Sequence, residues 1–122
     1  MAKFEQFEDI PIWQSSRILV KEIYSIMRIG DFSKDFGLHD QIQRASVSIM
    51  TNVAEGFERR SAKEFIQFLN CSKASVGEVR SLLYVSFDIG YIDEPKLGQL
   101  GDQATELSKA IAGFVKYLKT LN

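Results

Sequence analysis

The residues that build disulfides and metal sites are scarce in this chain. Its 122 residues include one cysteine and one histidine. A single cysteine forms no internal disulfide, and this scarcity fits the reducing cytoplasm. Helical bundles that hold two metals combine carboxylates with Glu-x-x-His pairs, and the sequence contains no such pair. We therefore expect no metal and no cofactor, with His39 at the surface or at a helix end.

Long apolar runs and an excess of either charge are also missing. Charged residues interrupt every stretch before the roughly 18 apolar residues that a membrane helix needs. The N-terminal MAKFEQFEDIP carries acids where a signal peptide would have an apolar run. The net charge of −1 gives no overall attraction to nucleic acid or to an anionic membrane. With 45% hydrophobic residues, the chain is expected to form one soluble cytoplasmic domain, residues 1–122.

Signatures of catalysis are missing too. The glycines are scattered singly, so they build no phosphate-binding loop. The serines form neither a Gly-x-Ser-x-Gly elbow nor a Ser-x-x-Lys motif with its partners. Cys71 lies beside an apolar helical stripe, without a neighbouring histidine to activate it, and is predicted to be a small packing residue. The chain is therefore predicted not to be an enzyme.

Helical patterns fill most of the sequence. The predicted helices cover about residues 10–29, 38–57, 62–89 and 94–121. Both prolines, Pro11 and Pro95, lie in a predicted first turn, with Asp9 and Asp93 as the expected N-terminal caps. Gly30 is expected to end the first helix, and the polar segment that follows it is interpreted as a turn-rich linker.

The remaining boundaries and the helix periodicity predict the fold. Gly56 and the charged residues after it are expected to end the second helix, and Ser61 with Glu64 forms a capping box for the third. The fourth helix repeats apolar residues at alternating spacings of three and four, which is typical of a bundle seam. That seam consists of Leu97, Leu100, Ala104, Leu107, Ile111, Phe114, Leu118 and Leu121. Short connections force neighbouring helices to run antiparallel. The sequence thus predicts an all-α, up-down-up-down four-helix bundle.

The second helix is apolar over an unusually wide arc. A surface helix needs an apolar stripe of about 100°, whereas this helix adds flanking residues such as Val47 and Ala54. Ile18 and Ile29 also lie opposite the inward stripe of the first helix. Because a second copy of the protein is the simplest cover for this surplus, we expect a stable homo-oligomer.

A polar group borders the same arc and has two interpretations. It comprises Arg44, Asn52, Glu55, Arg59, Glu64 and Glu78. It could contact a ligand or RNA. The favoured interpretation is a hydrogen-bond and ion-pair network that fixes the turn and, with Val47 and Ala54, an oligomer interface.

Basic residues form two weak stripes. Arg17, Lys21 and Arg28 flank Tyr24 on the first helix. A second stripe on the fourth helix contains Lys109, Lys116 and Lys119. Favourable interaction with helix dipoles explains much of both stripes. If RNA is bound, we expect contacts from Arg17, Lys21, Arg28, Arg59 and Arg60, repeated around a ring of subunits.

Several segments in order give the chain a family resemblance. They are FEDIPIW (7–13), QIQRASVSIMTNVAEGFERRSAKEFIQFL (41–69), the pattern of Ala74, Ser75 and Glu78, and IGYID (89–93). Together they resemble the "four helix bundle protein" family, which is encoded by intervening sequences in bacterial large-subunit ribosomal RNA genes and is also called ribosomal S23-like. The family pattern has glycine at the position of Ala74, which suggests a slightly looser helix approach there.

This resemblance implies a four-helix protomer in a cyclic homo-oligomer, expected to be a pentamer, with no established reaction. A related branch, the accessory protein of diversity-generating retroelements, is similar in fold and works with a reverse transcriptase and nucleic acid. That branch is expected to be basic, unlike this chain. The leading hypothesis is therefore a non-enzymatic assembly protein that acts by binding itself and a partner. The alternative is a nucleic-acid-binding accessory factor for structured RNA or a reverse transcriptase.

Overall fold

The computed structural model describes residues 4–121, and its regular structure in that range is entirely helical. The long helices are α1 (Pro11–Met27), α2 (Phe36–Glu58), α3 (Ala62–Asp88) and α4 (Glu94–Lys119). Short 3₁₀ turns at Phe7–Asp9 and Gly30–Lys34 precede α1 and α2. The predicted all-α fold with four helices is confirmed.

Contacts between helices give their directions. On α2, Ser48 lies beside Ser75 of α3, whereas Gly56 lies beside Phe68, earlier in α3. The ring of Phe65 near the start of α3 packs against Phe114 near the end of α4. Glu22 of α1 accepts a hydrogen bond from Gln99 of α4, and Pro11 and Gly113 line one cavity, so this pair is antiparallel as well. The helices thus follow one another around the bundle, with α1 returning to α4.

The core contains apolar side chains from every helix and also four fully buried serines. Each serine hydroxyl donates to a main-chain carbonyl, so no buried donor is left unpaired. Ser16, Ser46 and Ser86 each donate to a carbonyl of the preceding turn of their own helix. The fourth crosses between helices, since Ser72 Oγ of α3 donates to the Ile49 carbonyl of α2 at 2.8 Å.

Gly56 lies inside α2, so the prediction that it ends the helix is wrong. A Cβ atom at this position would be 2.7 Å from Phe68 Cβ and 2.8 Å from a ring carbon of Phe65. Glycine is needed there because α2 and α3 approach each other closely. The helix continues to Glu58, and the left-handed residue of the following turn is Arg60, with a φ of 57°.

The first helix begins and ends differently from the prediction. Asp9 belongs to a 3₁₀ turn, and Ile10 precedes α1 without a side-chain cap. Helix α1 ends at Met27, before Gly30, which instead begins the second 3₁₀ turn. That turn is packed into the fold, because Phe32 at its centre is fully buried.

Helices α3 and α4 have the side-chain N-terminal caps that the sequence predicts. Asp93 accepts from the Lys96 amide at 2.9 Å, and Pro95 lies in the first turn of α4, which confirms both predictions. Ser61 accepts from the Glu64 amide at 3.3 Å. The Glu64 carboxylate lies 3.7 Å from Arg59 Nη1.

Most of the predicted seam of α4 is buried, namely Leu100, Ala104, Leu107, Ile111 and Leu118. Leu97 and Phe114 are partly buried, and Leu121 is exposed because it lies beyond the helix. Val115 is an additional buried residue that the three-four spacing did not select.

Aromatic packing closes the end of the bundle where α2 and α4 begin. The ring of Tyr91 stacks on Phe32 with centroids 5.0 Å apart, and its hydroxyl donates to Asp35 Oδ2 at 2.8 Å. This hydrogen bond to a carboxylate raises the pKa of Tyr91 above its usual value, with smaller contributions from burial and from the charges of Asp35 and Asp31. The other carboxylate oxygen of Asp35 accepts from the Leu38 amide and caps α2.

Candidate interaction sites

The residues with intrinsic reactivity lie apart from one another. His39 is partly exposed, near the start of α2, with its Nδ1 atom 3.7 Å from Asp40. Cys71 is exposed on α3, so its prediction as a packing residue is wrong. Between residues 4 and 121, no three side chains of His, Cys, Asp or Glu are grouped as metal ligands.

A polar groove of about 470 Å³ lies between the first half of α2 and the second half of α3. Two predicted residues, Arg44 and Glu78, line its walls. Gln41 donates to Glu78 at 3.4 Å, while Arg44 is exposed and has no ion pair within 4 Å among residues 4–121. The groove therefore presents separate charges of both signs.

A chain of hydrogen bonds includes two residues that line this groove, Ser48 and Ser75. Asn52 Nδ2 donates to the Ser48 carbonyl at 2.8 Å and to Ser48 Oγ at 2.9 Å. Ser48 Oγ in turn lies 2.9 Å from Ser75 Oγ. Only one of the two hydroxyl protons is needed between the serines, so the other is available to an acceptor. The sequence had selected Asn52 for this network, whereas Ser75 is identified by the structure.

The predicted polar group divides into two clusters. Arg44 and Arg59 are 15 positions apart, so they are separated by roughly 22 Å along an α-helix. Arg59 pairs with Glu64 at the turn between α2 and α3, away from the groove. Glu55 is exposed on α2, between the two clusters.

Three of the five candidate nucleic-acid residues are arginines stacked on aromatic rings. The guanidinium of Arg59 lies 5.0 Å from the centroid of Phe68, and that of Arg60 lies 4.6 Å from Phe57. Arg17 lies 5.7 Å from the Trp13 ring. Cation–π contacts of this kind hold a guanidinium in place. All three arginines remain exposed. One nitrogen of Arg59 already pairs with Glu64, and one of Arg60 donates to the Glu5 carbonyl at 3.5 Å, so their remaining N–H groups are the ones that can bind an anion.

The other two candidate contacts, Lys21 and Arg28, are exposed on α1. Between them, the Tyr24 hydroxyl accepts from Gln43 Nε2 of α2 at 2.8 Å. This bond places the basic stripe beside the α1–α2 seam. The α4 stripe is weaker as a candidate site, since Lys109 lies 3.8 Å from Glu106.

The predicted assembly residues differ in exposure. Val47 and Ala54 are half-buried at the side of α2. Ile18, in contrast, is 57% exposed in the middle of α1, and Ile29 is 66% exposed after the end of that helix. Among the predicted assembly residues, Ile18 and Ile29 are therefore the more exposed pair.

Ile18 lies in a groove along the seam between α1 and α4, hereafter the α1–α4 groove. Three cavities of about 350, 510 and 420 Å³ follow one another along this seam. The first is lined by apolar residues, which include Pro11 and Phe114, and Ile18 lines both of the others. This seam is the least extensively packed of the four between consecutive or closing helices.

Comparison with known proteins identifies the family. A family model described as 23S rRNA-intervening sequence protein matches residues 8–113. The chain belongs to this family. The predicted resemblance is thereby confirmed, and the matched range includes the polar groove, the stacked arginines and most of the α1–α4 groove.

A solved structure supports the fold of this intervening-sequence protein. It is a crystal structure of a protein with unknown function from the S23 ribosomal protein family of Bacteroides thetaiotaomicron, and it superposes with a TM-score of 0.78. The two are 23% identical, over 86% of this chain and 98% of that chain. No curated protein matches the sequence. Among residues 4–121, no helix combines the length and apolar character needed to cross a membrane.

Proposed function

We propose that this intervening-sequence protein is a non-enzymatic cytoplasmic assembly protein, which forms a cyclic homo-oligomer and acts by binding. The observation that carries the proposal is the exposed Ile18 in the open α1–α4 groove. Burying a large aliphatic side chain contributes about 1.5–3 kcal/mol, so a second copy that covers Ile18 would stabilise the assembly. A groove on one side of a protomer suits a head-to-tail contact, which closes into a ring. The family resemblance favours a pentamer.

The groove also explains why a second copy is a better occupant than a small molecule. It extends along much of the bundle through three adjoining cavities, whereas a small-molecule site is normally one enclosed pocket. The neighbouring charges are mixed, with Lys21, Glu22, Lys96 and Glu106 along it. Such a border suits another protein surface of low net charge.

Size-exclusion chromatography with light scattering tests this assembly. We expect the unmodified protein to be an oligomer at micromolar concentration and Ile18→Glu to be a folded monomer, because an unpaired charge is costly to bury. Thr51→Glu, at an exposed position of α2, is the matched control and should leave the oligomer intact. Val47→Glu tests the alternative interface on α2. A monomeric unmodified protein, or an oligomeric Ile18→Glu variant, would contradict the proposed interface.

A second candidate function, binding to structured RNA, is supported by the three stacked arginines. Arg17, Arg59 and Arg60 lie over Trp13, Phe68 and Phe57, respectively, and all three remain exposed. Pre-positioned guanidinium groups suit phosphate oxygens, which accept paired hydrogen bonds. A ring of protomers would repeat this weak cluster several times, so that one RNA could make several phosphate contacts at once.

Filter binding of ribosomal RNA fragments at several salt concentrations tests this second function. Each phosphate contact contributes about −0.9 to the slope of log K against log salt for a duplex. Replacing Arg17, Arg59 and Arg60 with alanine should therefore weaken binding and flatten the slope. The control replaces Lys109, Lys116 and Lys119 with alanine, which removes the same charge from α4. Equal effects of the two triple variants, or no RNA binding at low salt, would exclude this function.

A further inference from the structure

One end of the bundle combines exposed apolar side chains with a concentration of acidic residues. Phe36, Ile29 and Ile89 are 74%, 66% and 51% exposed. Each lies within three positions of the contact between Phe32, Asp35 and Tyr91 that closes this end. We call this surface the acidic end surface. It consists of Ile29, Phe36 and Ile89 and of the acidic residues of the same segments, which are Asp31, Asp35, Asp40, Asp88, Asp93 and Glu94.

Contacts among Phe32, Asp35 and Tyr91 hold the backbone of the acidic end surface in place. Tyr91 stacks on the buried Phe32 and donates a 2.8 Å hydrogen bond to Asp35, so it joins the connection between α3 and α4 to the connection between α1 and α2. The exposed apolar side chains therefore belong to segments that are already ordered in the protomer. A surface that is formed before binding requires little ordering when a partner binds.

The charge of this end is distinct from that of the rest of the chain. Residues 28–40 and 88–96 contain six acidic and three basic residues, which gives a net charge of −3 with His39 neutral. The whole chain has a net charge of −1, so the remaining residues carry +2. These segments, which contain Phe36, Ile29 and Ile89, are thus net negative, while the rest of the chain is net positive.

The position of Asp88 gives an independent indication that this charge has a role outside the protomer. Asp88 is the last residue of α3, whose final turn contains no basic residue. A negative charge at a helix C-terminus is unfavourable with the helix dipole, and Asp88 has no ion pair within 4 Å in the described part of the chain. Its carboxylate opposes the stability of its own helix but remains accessible to a cationic group.

We propose that the acidic end surface binds a basic amphipathic segment of another protein. The apolar side chains of that segment would contact Phe36, Ile29 and Ile89, and its lysines or arginines would lie near Asp31 and Asp88. The same charges disfavour the alternatives. Nucleic acid and anionic lipid are repelled, and a second copy docked end to end would bring two surfaces of −3 together.

Binding of a defined probe tests the proposal. The probe is a fluorescent amphipathic helix built from leucine and lysine, and its control is the same helix with glutamate in place of lysine. Fluorescence anisotropy should show binding of the lysine helix only. Phe36→Ser and Ile89→Ser should each weaken binding about tenfold, which is typical for truncating a central apolar contact. Asp31→Asn with Asp88→Asn should weaken it and reduce its dependence on salt.

The matched control is Ile18→Ser, which removes an exposed isoleucine from the α1–α4 groove and should leave probe affinity unchanged. Chemical shift changes on probe binding should map to residues 29–40 and 84–93. Absence of binding, equal weakening by Ile18→Ser, or shift changes along α1 and α4 would overturn the proposal. Oligomer dissociation by Phe36→Ser would also overturn it, since a second copy would then cover this end. Failure of the assembly through Ile18 would leave this result unaffected, so the two proposals are tested separately.

Discussion

Replacing Gly56 with alanine should have two opposed effects on the free energy of unfolding. Alanine restricts the unfolded chain and favours a helix over glycine by about 0.5–1 kcal/mol. Against this, the new methyl group would be 2.7 Å from Phe68 Cβ and 2.8 Å from a Phe65 ring carbon. Carbon atoms prefer separations of about 3.5–4.0 Å, so α2 and α3 must move apart by several tenths of an ångström.

The clash with Phe68 determines the expected sign. A Cβ atom is attached directly to the main chain and does not rotate away, in contrast to the end of a long side chain. Overpacking of this kind costs about 1–3 kcal/mol, which exceeds the gain in helix propensity. The shift also strains the neighbouring hydrogen bond from Ser72 to the Ile49 carbonyl, at 2.8 Å. We expect Gly56→Ala to lower the free energy of unfolding by about 1–2 kcal/mol.

Gly77 provides the control for this experiment. It lies in the middle of α3, and a Cβ atom there would have no neighbour within 4 Å. Gly77→Ala should therefore raise the free energy of unfolding by about 0.5–1 kcal/mol. Urea denaturation followed by circular dichroism measures both variants, at several protein concentrations because oligomers gain stability with concentration. If Gly56→Ala were as stabilising as Gly77→Ala, the close approach of α2 and α3 would be refuted.

Three further changes test separate features. Because its pKa is raised by the hydrogen bond to Asp35, Tyr91 should titrate above the usual tyrosine pKa of about 10 when followed by ultraviolet absorbance. The contribution of this hydrogen bond to stability should be full below pH ~10 and lost as the pH rises through the folded pKa of Tyr91. Tyr91→Phe should remove this late titration, and an unchanged curve would contradict the hydrogen bond. Ile111→Ala should lower the free energy of unfolding by about 2–5 kcal/mol, measured by urea denaturation, and a loss below about 0.5 kcal/mol would place Ile111 outside the core. Cys71 should react with a thiol reagent in the folded state, since it is exposed; reaction only on unfolding would show that another surface covers it.

Local sequence signals predicted much of the bundle, because helix caps and core periodicity act over a few residues. Asp93 caps α4 as expected, and five of the eight predicted seam residues of that helix are buried. Asp9 did not cap α1, because the chain before Pro11 forms a 3₁₀ turn in which Phe7 packs against Trp13. Phe32 escaped prediction as a core residue, since a single aromatic in a polar segment shows no periodicity.

The candidate sites were less predictable, because they depend on residues from different helices. A helical wheel places Asn52 beside an apolar arc but does not give its distance from α3. The hydrogen bonds from Asn52 to Ser48 and onward to Ser75 therefore required the structure. The same limitation explains why Cys71, at the edge of the α3 stripe, was assigned to the interior. The stacking of Arg60 on Phe57 depends on the left-handed conformation of the turn, which is uncommon outside glycine.

The loose seam between α1 and α4 has a consequence for how the chain folds and opens. The other three seams join helices that are consecutive along the chain, and such local contacts form quickly. Ile12 and Phe114 line one cavity of the closing seam, although about a hundred residues separate them, so this contact carries the largest loop-closure entropy. We therefore expect α1 to dock last during folding and to detach first in native-state hydrogen exchange. A neighbouring subunit bound along this groove would hold the first and last helices together, and assembly would then slow the unfolding of each protomer.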